Sequence, residues 1–192
     1  MRRRREAGFT LIEVVVVVAV IAILAAVLTP FITKYIDDSR IAKARNEVQV
    51  IGGALTNFYK DTGVWPSRNA TGATVAYLYT GTTVPTAAGN VFSAITPALN
   101  PPVATWAGAS APLDNSLVTN GTGNVYPASG DMQWRGPYTS GALPVDPWGR
   151  PYVVNFAAVG PLWVLSAGPN LRIQTAAADN VVRGDDIGFR VR

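Results

Sequence analysis

The sequence predicts an α+β fold: one long N-terminal helix, membrane-spanning in its lower half, packed on a small antiparallel β-sheet head. Three observations predict it. Residues 14–33 carry no charge and are almost wholly apolar. Ile41, Ala44, Val48, Ile51, Leu55 and Phe58 then recur at intervals of three and four, one face of a helix. Further on, residues 152–156 (Tyr152, Val153, Val154, Asn155, Phe156) read as a strand, with residues 161–166 as its partner across a turn at Gly160.

The apolar run comes first. At about 1.5 Å per residue it covers roughly 30 Å, the thickness of a bilayer's hydrocarbon core. Arg2, Arg3, Arg4 and Arg5 stand just before it. The positive-inside bias places that end in the cytoplasm and the remaining chain on the far side. Three readings compete for this segment. A secretory signal has a shorter apolar core followed by a small-residue cleavage site. Ala25 and Ala26 pass weakly for one, but apolar residues continue to Phe31 and Ile32. A signal anchor fits the length and charge, yet leaves Glu13 unexplained, because a carboxylate at the edge of hydrocarbon is costly without a partner. The core helix of a soluble protein needs no run so uninterrupted.

Past the run, Lys34, Asp37, Asp38, Arg40, Lys43 and Arg45 mark a more polar stretch, and the periodic apolar face follows. Pro30 lacks a backbone donor and clashes with the preceding turn, so a local kink or melt is expected there. Gly52 and Gly53 each lower helix propensity by about 1 kcal/mol relative to Ala; close approach to a packed sheet would explain them. The helix should stop near Asp61, Thr62 and Gly63, since glycine accepts the left-handed cap.

Residues 67–135 are rich in Thr, Ala, Gly, Asn and Pro, with only Arg68, Asp114, Asp131 and Arg135 charged. They read as an enlarged loop region with a strand at 74–79 and a short helix near 91–99. Loops this long are either functional or poorly ordered, so surface display and a solvated insertion stand side by side. Asn69-Ala70-Thr71 and Asn120-Gly121-Thr122 match a glycosylation sequon. Downstream, Asp146-Pro147-Trp148-Gly149 reads as a turn: Asp bonds its own backbone, Pro fixes φ and Gly accepts positive φ.

Composition excludes several chemistries. The chain of 192 residues has a formal net charge of +4 and neither Cys nor His. Removing the net +3 of residues 1–8 (four Arg, one Glu) leaves +1. The basicity is therefore mostly a topology signal, and no concentrated basic stripe remains to suggest nucleic acid. Without Cys no disulfide can staple an exported head. Without His or Cys, the usual general base, thiol nucleophile and soft-metal ligands are missing.

Gly8-Phe9-Thr10-Leu11-Ile12-Glu13, followed by the apolar run, resembles the class III leader of type IV pilins and of type II secretion pseudopilins. The resemblance implies that a prepilin peptidase cuts after Gly8 and methylates the new amine on Phe9. It also implies that Glu13 pairs with the terminal amine of a neighbouring subunit and so sets the register of a helical filament. Pro30 sits where the family often carries a helix-loosening proline. Heterologous contacts that repeat without closing make such a filament.

Two further blocks narrow the resemblance. Phe58-Tyr59-Lys60-Asp61-Thr62-Gly63-Val64-Trp65-Pro66 looks like the helix exit of major pseudopilins, with Asp61-Thr62 a slight departure. Leu143-Pro144-Val145-Asp146-Pro147-Trp148-Gly149-Arg150-Pro151-Tyr152 resembles the Leu-Pro-x-Asp-Pro-Trp-Gly-x-Pro-Tyr segment of the type II secretion major pseudopilin. The implied fold is type IV pilin-like. The expected division is a leader at 1–8, a transmembrane and filament-core half-helix at 9–33 and an amphipathic half-helix at 34–63. A variable insertion at 64–135 and a C-terminal sheet region at 136–192 complete it.

The tail, from Ser166 through Asn170 and Asp179 to Asp185, Asp186, Ile187, Gly188 and Phe189, resembles the C-terminal loop of major pseudopilins, where carboxylates and carbonyls hold calcium. The resemblance implies Asn170, Asp179, Asp185 and Asp186 as calcium ligands, and calcium favours about 6–8 hard oxygens in irregular geometry. The pattern departs from the family: Asn170 stands for a common Asp, Gly184 for another, and Phe189 comes where the family ends in Asn-Trp. A solvated acidic turn is the competing reading.

The function implied is a non-enzymatic structural subunit of a periplasmic pseudopilus, anchored once in the bacterial inner membrane. Its expected partners are copies of itself, the prepilin peptidase, an inner-membrane assembly platform and minor pseudopilins. A type IV pilus subunit for adhesion, motility or DNA uptake is the alternative. A membrane-anchored periplasmic enzyme is a third reading, from another class.

Overall fold

The computed structural model describes residues 8–82, 109–156, 160–176 and 179–192. The chain divides into two compact units, Met1–Ser39 and Arg40–Arg192. The expected helix at 91–99 lies outside the described residues.

In the first unit, helix α1 (Leu11–Thr62) begins. Its large apolar side chains from Leu11 to Ile36 are exposed throughout the unit, from Val20 at 50% to Ile23 at 65% in the run itself. By length and composition the helix is long and apolar enough to cross a membrane. Val-rich segments have modest helix propensity in water, but in hydrocarbon a helix satisfies every backbone group internally. The helix does not melt at Pro30: α1 runs through it. Nearby hydroxyls bond to carbonyls of the same turns: Thr29 Oγ1 donates to Ala25 O at 2.7 Å, and Thr33 Oγ1 donates to Pro30 O at 3.0 Å. Such side-chain bonds are one way a proline is accommodated in a membrane helix.

In the second unit, the periodic face packs as its spacing demands. Ala44, Val48, Ile51, Leu55 and Phe58 are buried, and Ile41 packs at the cluster's margin. Gly52 is explained: a Cβ there would collide with the Phe189 ring, whereas Gly53 faces open space. α1 ends where expected. Gly63 has φ +70°, and its N–H donates to Tyr59 O at 2.8 Å.

The sheet has five strands: β1 (Tyr77–Tyr79), β2 (Ser110–Pro112), β3 (Val153–Asn155), β4 (Trp163–Ser166) and β5 (Ile187–Arg190), ordered β2-β1-β3-β4-β5. Pairings β1–β3, β3–β4 and β4–β5 are antiparallel, but β1–β2 is parallel. The sheet is therefore mixed rather than purely antiparallel. A parallel neighbour needs a long crossover, and the residues between 79 and 110 supply the length. Two strands thus come from the 64–135 stretch, and one of them, β1, pairs with β3 from beyond residue 136.

Alternation fixes two faces. Leu78, Val154 and Val164 join the cluster that includes Ala44, Val48, Ile51, Leu55 and Phe58 of α1. Tyr77, Tyr79, Val153, Trp163 and Leu165 point the other way and pack with Ala167, Ile173 and Val182. The inner strands β1, β3 and β4 are buried on both faces because a helix covers one and the C-terminal loop covers the other. A short helix α2 (Asp114–Leu117) adds Leu117 to the core. It is fastened by Trp134 Nε1 donating to Ser116 O at 2.6 Å and by Leu143 N donating to Asp114 Oδ1 at 3.0 Å.

Candidate functional site

Glu13 lies in the first turn of α1 with Thr10 as the residue just before the helix. The Thr10 backbone N–H donates to Glu13 Oε2 at 2.8 Å, and the Thr10 hydroxyl donates to the same oxygen at 2.7 Å. In return Glu13 N–H donates to Thr10 Oγ1 at 3.3 Å. This is a capping box: Thr and Glu three apart satisfy two orphan donors of the helix start reciprocally. Within one chain, then, Glu13 already has a partner. Thr10-Leu11-Ile12-Glu13 carries the Thr-x-x-Glu signature of that box, so the signal was present in the sequence. The expectation of a partner on another molecule overlooks it. Gly8, the expected cutting position, is exposed and precedes the helix.

The C-terminal loop contains the four residues expected to ligate calcium, and it does not treat them alike. Asn170 and Asp185 meet directly. Asn170 N donates to Asp185 Oδ2 at 2.9 Å, and the Asn170 side-chain amide donates to Asp185 Oδ1. Asp186 is buried. Its Oδ2 accepts from Gln174 N, Thr175 N and Thr175 Oγ1 at 2.6–2.8 Å, while Oδ1 has no partner among the described residues. Burial pushes the Asp186 carboxyl up to about 6 against those three hydrogen bonds. A carboxyl raised in the folded state holds its proton more tightly than the unfolded chain does. Its contribution favours folding below about pH 4 and is lost as the pH rises through about 6.

Asp179 is committed elsewhere. Arg183 Nε pairs with its Oδ2 at 2.6 Å, Arg183 Nη2 donates to Oδ1 at 2.7 Å, and Ala176 N donates to Oδ2 at 2.7 Å. Among the described residues, no group of three or more His, Cys, Asp or Glu side chains is placed to hold a metal. Asn170, Asp185 and Asp186 carry the kind of hard oxygen donors that calcium takes. Their donors are oxygens, two of them are acidic, and a buried carboxylate oxygen without a hydrogen-bond partner is costly unless a positive charge meets it.

The Asp146 turn is built as the sequence reads it, with an added tie. Oδ1 accepts from Trp148 N at 3.0 Å and Arg150 N at 2.7 Å, and Gly149 has φ +83°. Oδ2 accepts the Ser166 hydroxyl at 2.7 Å. Burial raises the Asp146 carboxyl above its ordinary range, and the bonds from Ser166, Arg150 and Trp148 oppose that rise. Tyr152, which closes the same motif, donates its hydroxyl to Glu47 Oε2 of α1 at 2.5 Å. Burial, then the neighbouring Glu47 carboxylate, raises its phenol.

The two sequon asparagines build turns. Asn120 is 2% exposed, has φ +57°, and uses both side-chain ends on the Tyr126 backbone. Asn69 Oδ1 accepts from Thr71 N, Thr71 Oγ1 and Ala73 N. Side-chain to backbone bonds of this kind account for asparagine at such positions without any modification.

Comparison with known proteins agrees with both ends of the chain. Residues 3–29 match the family described as the prokaryotic N-terminal methylation motif, and residues 116–184 match type II secretion system protein G. The chain is 29% identical over 152 residues to the type II secretion system core protein G of Pseudomonas aeruginosa, covering 79% of this chain and 75% of that one. It is 40% identical over 92 residues to the fimbrial protein EcpC of Eikenella corrodens, covering 46% of this chain and 60% of EcpC. It is 37% identical over 65 residues to the type IV major pilin protein PilE1 of Neisseria gonorrhoeae, covering 34% of this chain and 30% of that pilin. No solved structure matches the chain. The chain thus joins an N-terminal methylation motif to a type II secretion protein G domain, and it is homologous to type II secretion core protein G and to type IV pilins.

Proposed function

We propose that this chain is a structural, non-catalytic subunit of a periplasmic pseudopilus of a type II secretion system. The observation that carries the reading is the methylation motif and the protein G region standing in one chain. The exposed apolar part of α1 supports it, because that surface needs lipid before assembly and neighbouring helices afterwards. On this reading the chain crosses the inner membrane once, with Arg2–Arg5 in the cytoplasm. Prepilin peptidase cuts between Gly8 and Phe9, and an assembly platform with minor pseudopilins starts the filament. Glu13 sets register by meeting a neighbour's Phe9 amine. The type IV pilus alternative draws on the fimbrial relatives, but those matches cover less of the chain than the protein G match does.

Mass spectrometry of the chain from its native membrane should show an N-methylated Phe9 as the first residue. Gly8→Glu should leave residues 1–8 attached and yield no filaments. A wild-type chain that keeps its leader would overturn the reading. Deletion of the gene separates the two filament types: trapped secreted proteins support the pseudopilus, whereas loss of surface fibres with normal secretion supports the pilus.

We also propose that Asn170, Asp185 and Asp186 hold calcium in the C-terminal loop, with Asp179 remaining on Arg183. The partnerless buried oxygen of Asp186 supports this. A calcium ion would supply positive charge there and clip the loop. At pH 7.5, where Asp186 is ionised, calcium should raise the melting temperature of the full chain in detergent by several degrees. Asp185→Ala should remove most of that rise and Asp179→Asn little of it. An unchanged wild-type melting temperature at millimolar calcium refutes the site.

A further inference from the structure

The Asp146 turn and the C-terminal loop are joined through one hydroxyl. Ser166, at the end of β4 and fully buried, donates to Asp146 Oδ2 at 2.7 Å and accepts from Gly168 N at 3.1 Å. Gly168 has φ +64°, and a Cβ there would collide with the Asp185 carbonyl oxygen. The loop therefore doubles back on itself at Gly168 and lays Asn170 against Asp185. Beyond that contact, Asp185 N donates to Gln174 Oε1 at 3.1 Å, and Asp186 receives Gln174 N and Thr175 N. Asp146 is itself held rigidly by two backbone donors of its own turn. The links from Asp146 through Ser166 to Gly168 run through buried groups, where a hydrogen bond is strong and its loss leaves an unsatisfied polar atom, and they end on the exposed Asn170–Asp185 contact.

We propose that Asp146, acting through Ser166, is a positioning residue for the C-terminal loop: it fixes the left-handed step at Gly168 that brings Asn170 to Asp185. The proline-bounded turn supplies a rigid base, since Pro147 and Pro151 limit its backbone freedom. The serine hydroxyl transmits that base to the loop because it can donate and accept at once. Neither Asp146 nor Ser166 touches the Asn170–Asp185 contact, so their effect on it is through geometry. The Asp-Pro-Trp-Gly motif and the acidic tail, separate in sequence, thereby act as one unit. The cation-binding consequence rests on the calcium reading above; the ordering of the loop does not.

The test uses the full chain in detergent. In calcium-free buffer, Ser166→Ala should speed hydrogen exchange across residues 168–175 and 183–187 by at least tenfold. Exchange in β1 and β3 and the midpoint of global denaturation should stay near wild type. Ser166→Thr keeps the hydroxyl and should restore slow exchange in the loop. Asp146→Asn, which turns an acceptor into a donor facing Ser166, should reproduce the alanine effect. Unchanged loop exchange in Ser166→Ala, or a uniform rise through the whole sheet, overturns the inference. A second arm titrates calcium by the shift in melting temperature. If wild type responds, Ser166→Ala should raise the calcium midpoint about tenfold, and an unmoved midpoint counts against positioning. If wild type does not respond, the calcium reading falls, and the calcium-free exchange result decides the positioning role alone.

Discussion

Glu13→Gln is expected to leave cleavage after Gly8 intact and to abolish filaments, and so to separate two roles that Glu13→Ala confounds. Glutamine can still reach back to the Thr10 N–H, because Glu and Gln both serve at the third position of a capping box. The helix start observed here, with Thr10 N–H and hydroxyl on Glu13 Oε2, should therefore survive the change. What Gln loses is the charge. If the carboxylate meets a neighbour's terminal ammonium in a water-poor filament core, removing one member strands the other, at a cost of about 3–5 kcal/mol for each subunit. Losing the cap alone costs about 0.5–2 kcal/mol, and then only at the end of one helix. The comparison uses four chains in the native membrane: wild type, Glu13→Gln, Glu13→Ala and Thr10→Ala. Processing is read by mass and assembly by electron microscopy of sheared filaments. Thr10→Ala should keep filaments at reduced yield, whereas both Glu13 variants should give none. Normal filaments from Glu13→Gln would confine Glu13 to capping and remove its register role.

The capping box also shows why processing matters physically. In one chain the carboxylate is satisfied by Thr10, so an anchored monomer carries no orphan charge at its membrane edge. Cutting between Gly8 and Phe9 would place a new ammonium directly before Thr10. On the proposed reading, a filament contact would then exchange or extend a bond that already exists, with Glu13 held in place for it beforehand. An interaction that starts from a positioned group loses less side-chain entropy on forming.

What the sequence could disclose follows the range of the forces involved. α1 was legible because its signals are local: the 3.6 period of Ala44, Val48, Ile51, Leu55 and Phe58, and the stop at Gly63. β3 and β4 were legible for the same reason, as short apolar runs on either side of Gly160. β5 was hidden, since Gly188 and Phe189 sit in a stretch that reads as an acidic loop. It becomes a strand because β4 offers a partner and because Gly52, 137 positions earlier, leaves room for the Phe189 ring. β2 has Ser110, Ala111 and Pro112, which hold little strand propensity. Only its parallel pairing with β1 makes it one, and no local pattern reports that contact. The site divides in the same way. The Asp146 turn was readable from four consecutive residues. Its bond to Ser166, twenty positions on, was not.

Long-range contacts hold the described part of the 64–135 stretch, and Phe58→Ala probes them. Phe58 is fully buried on α1 and meets two rings from beyond the helix. Tyr126 stands edge-on at 4.8 Å between centroids, and Tyr138 at 5.5 Å. Tyr126 in turn accepts the Ser67 N–H on its hydroxyl at 3.1 Å, and its backbone is clasped by Asn120. One side chain therefore fastens the helix to both the 64–135 stretch and the segment leading into the Asp146 turn. Truncation removes the buried ring and two aromatic contacts, and the tyrosines cannot collapse into the space without breaking their own hydrogen bonds. The expected loss is about 3–5 kcal/mol, a large share of the roughly 5–15 kcal/mol that holds a typical domain. Phe58→Leu keeps most of the volume and should cost well under half as much. Tyr126→Phe removes only the hydroxyl and should cost about 1 kcal/mol. Denaturation of the full chain in detergent, followed by tryptophan emission, ranks the three. Equal losses from Phe58→Ala and Tyr126→Phe would mean that the 64–135 stretch is held by its hydrogen bonds, not by the aromatic cluster. A loss below about 1.5 kcal/mol for Phe58→Ala would mean that the cluster repacks, since a rigid core penalises such a void more heavily.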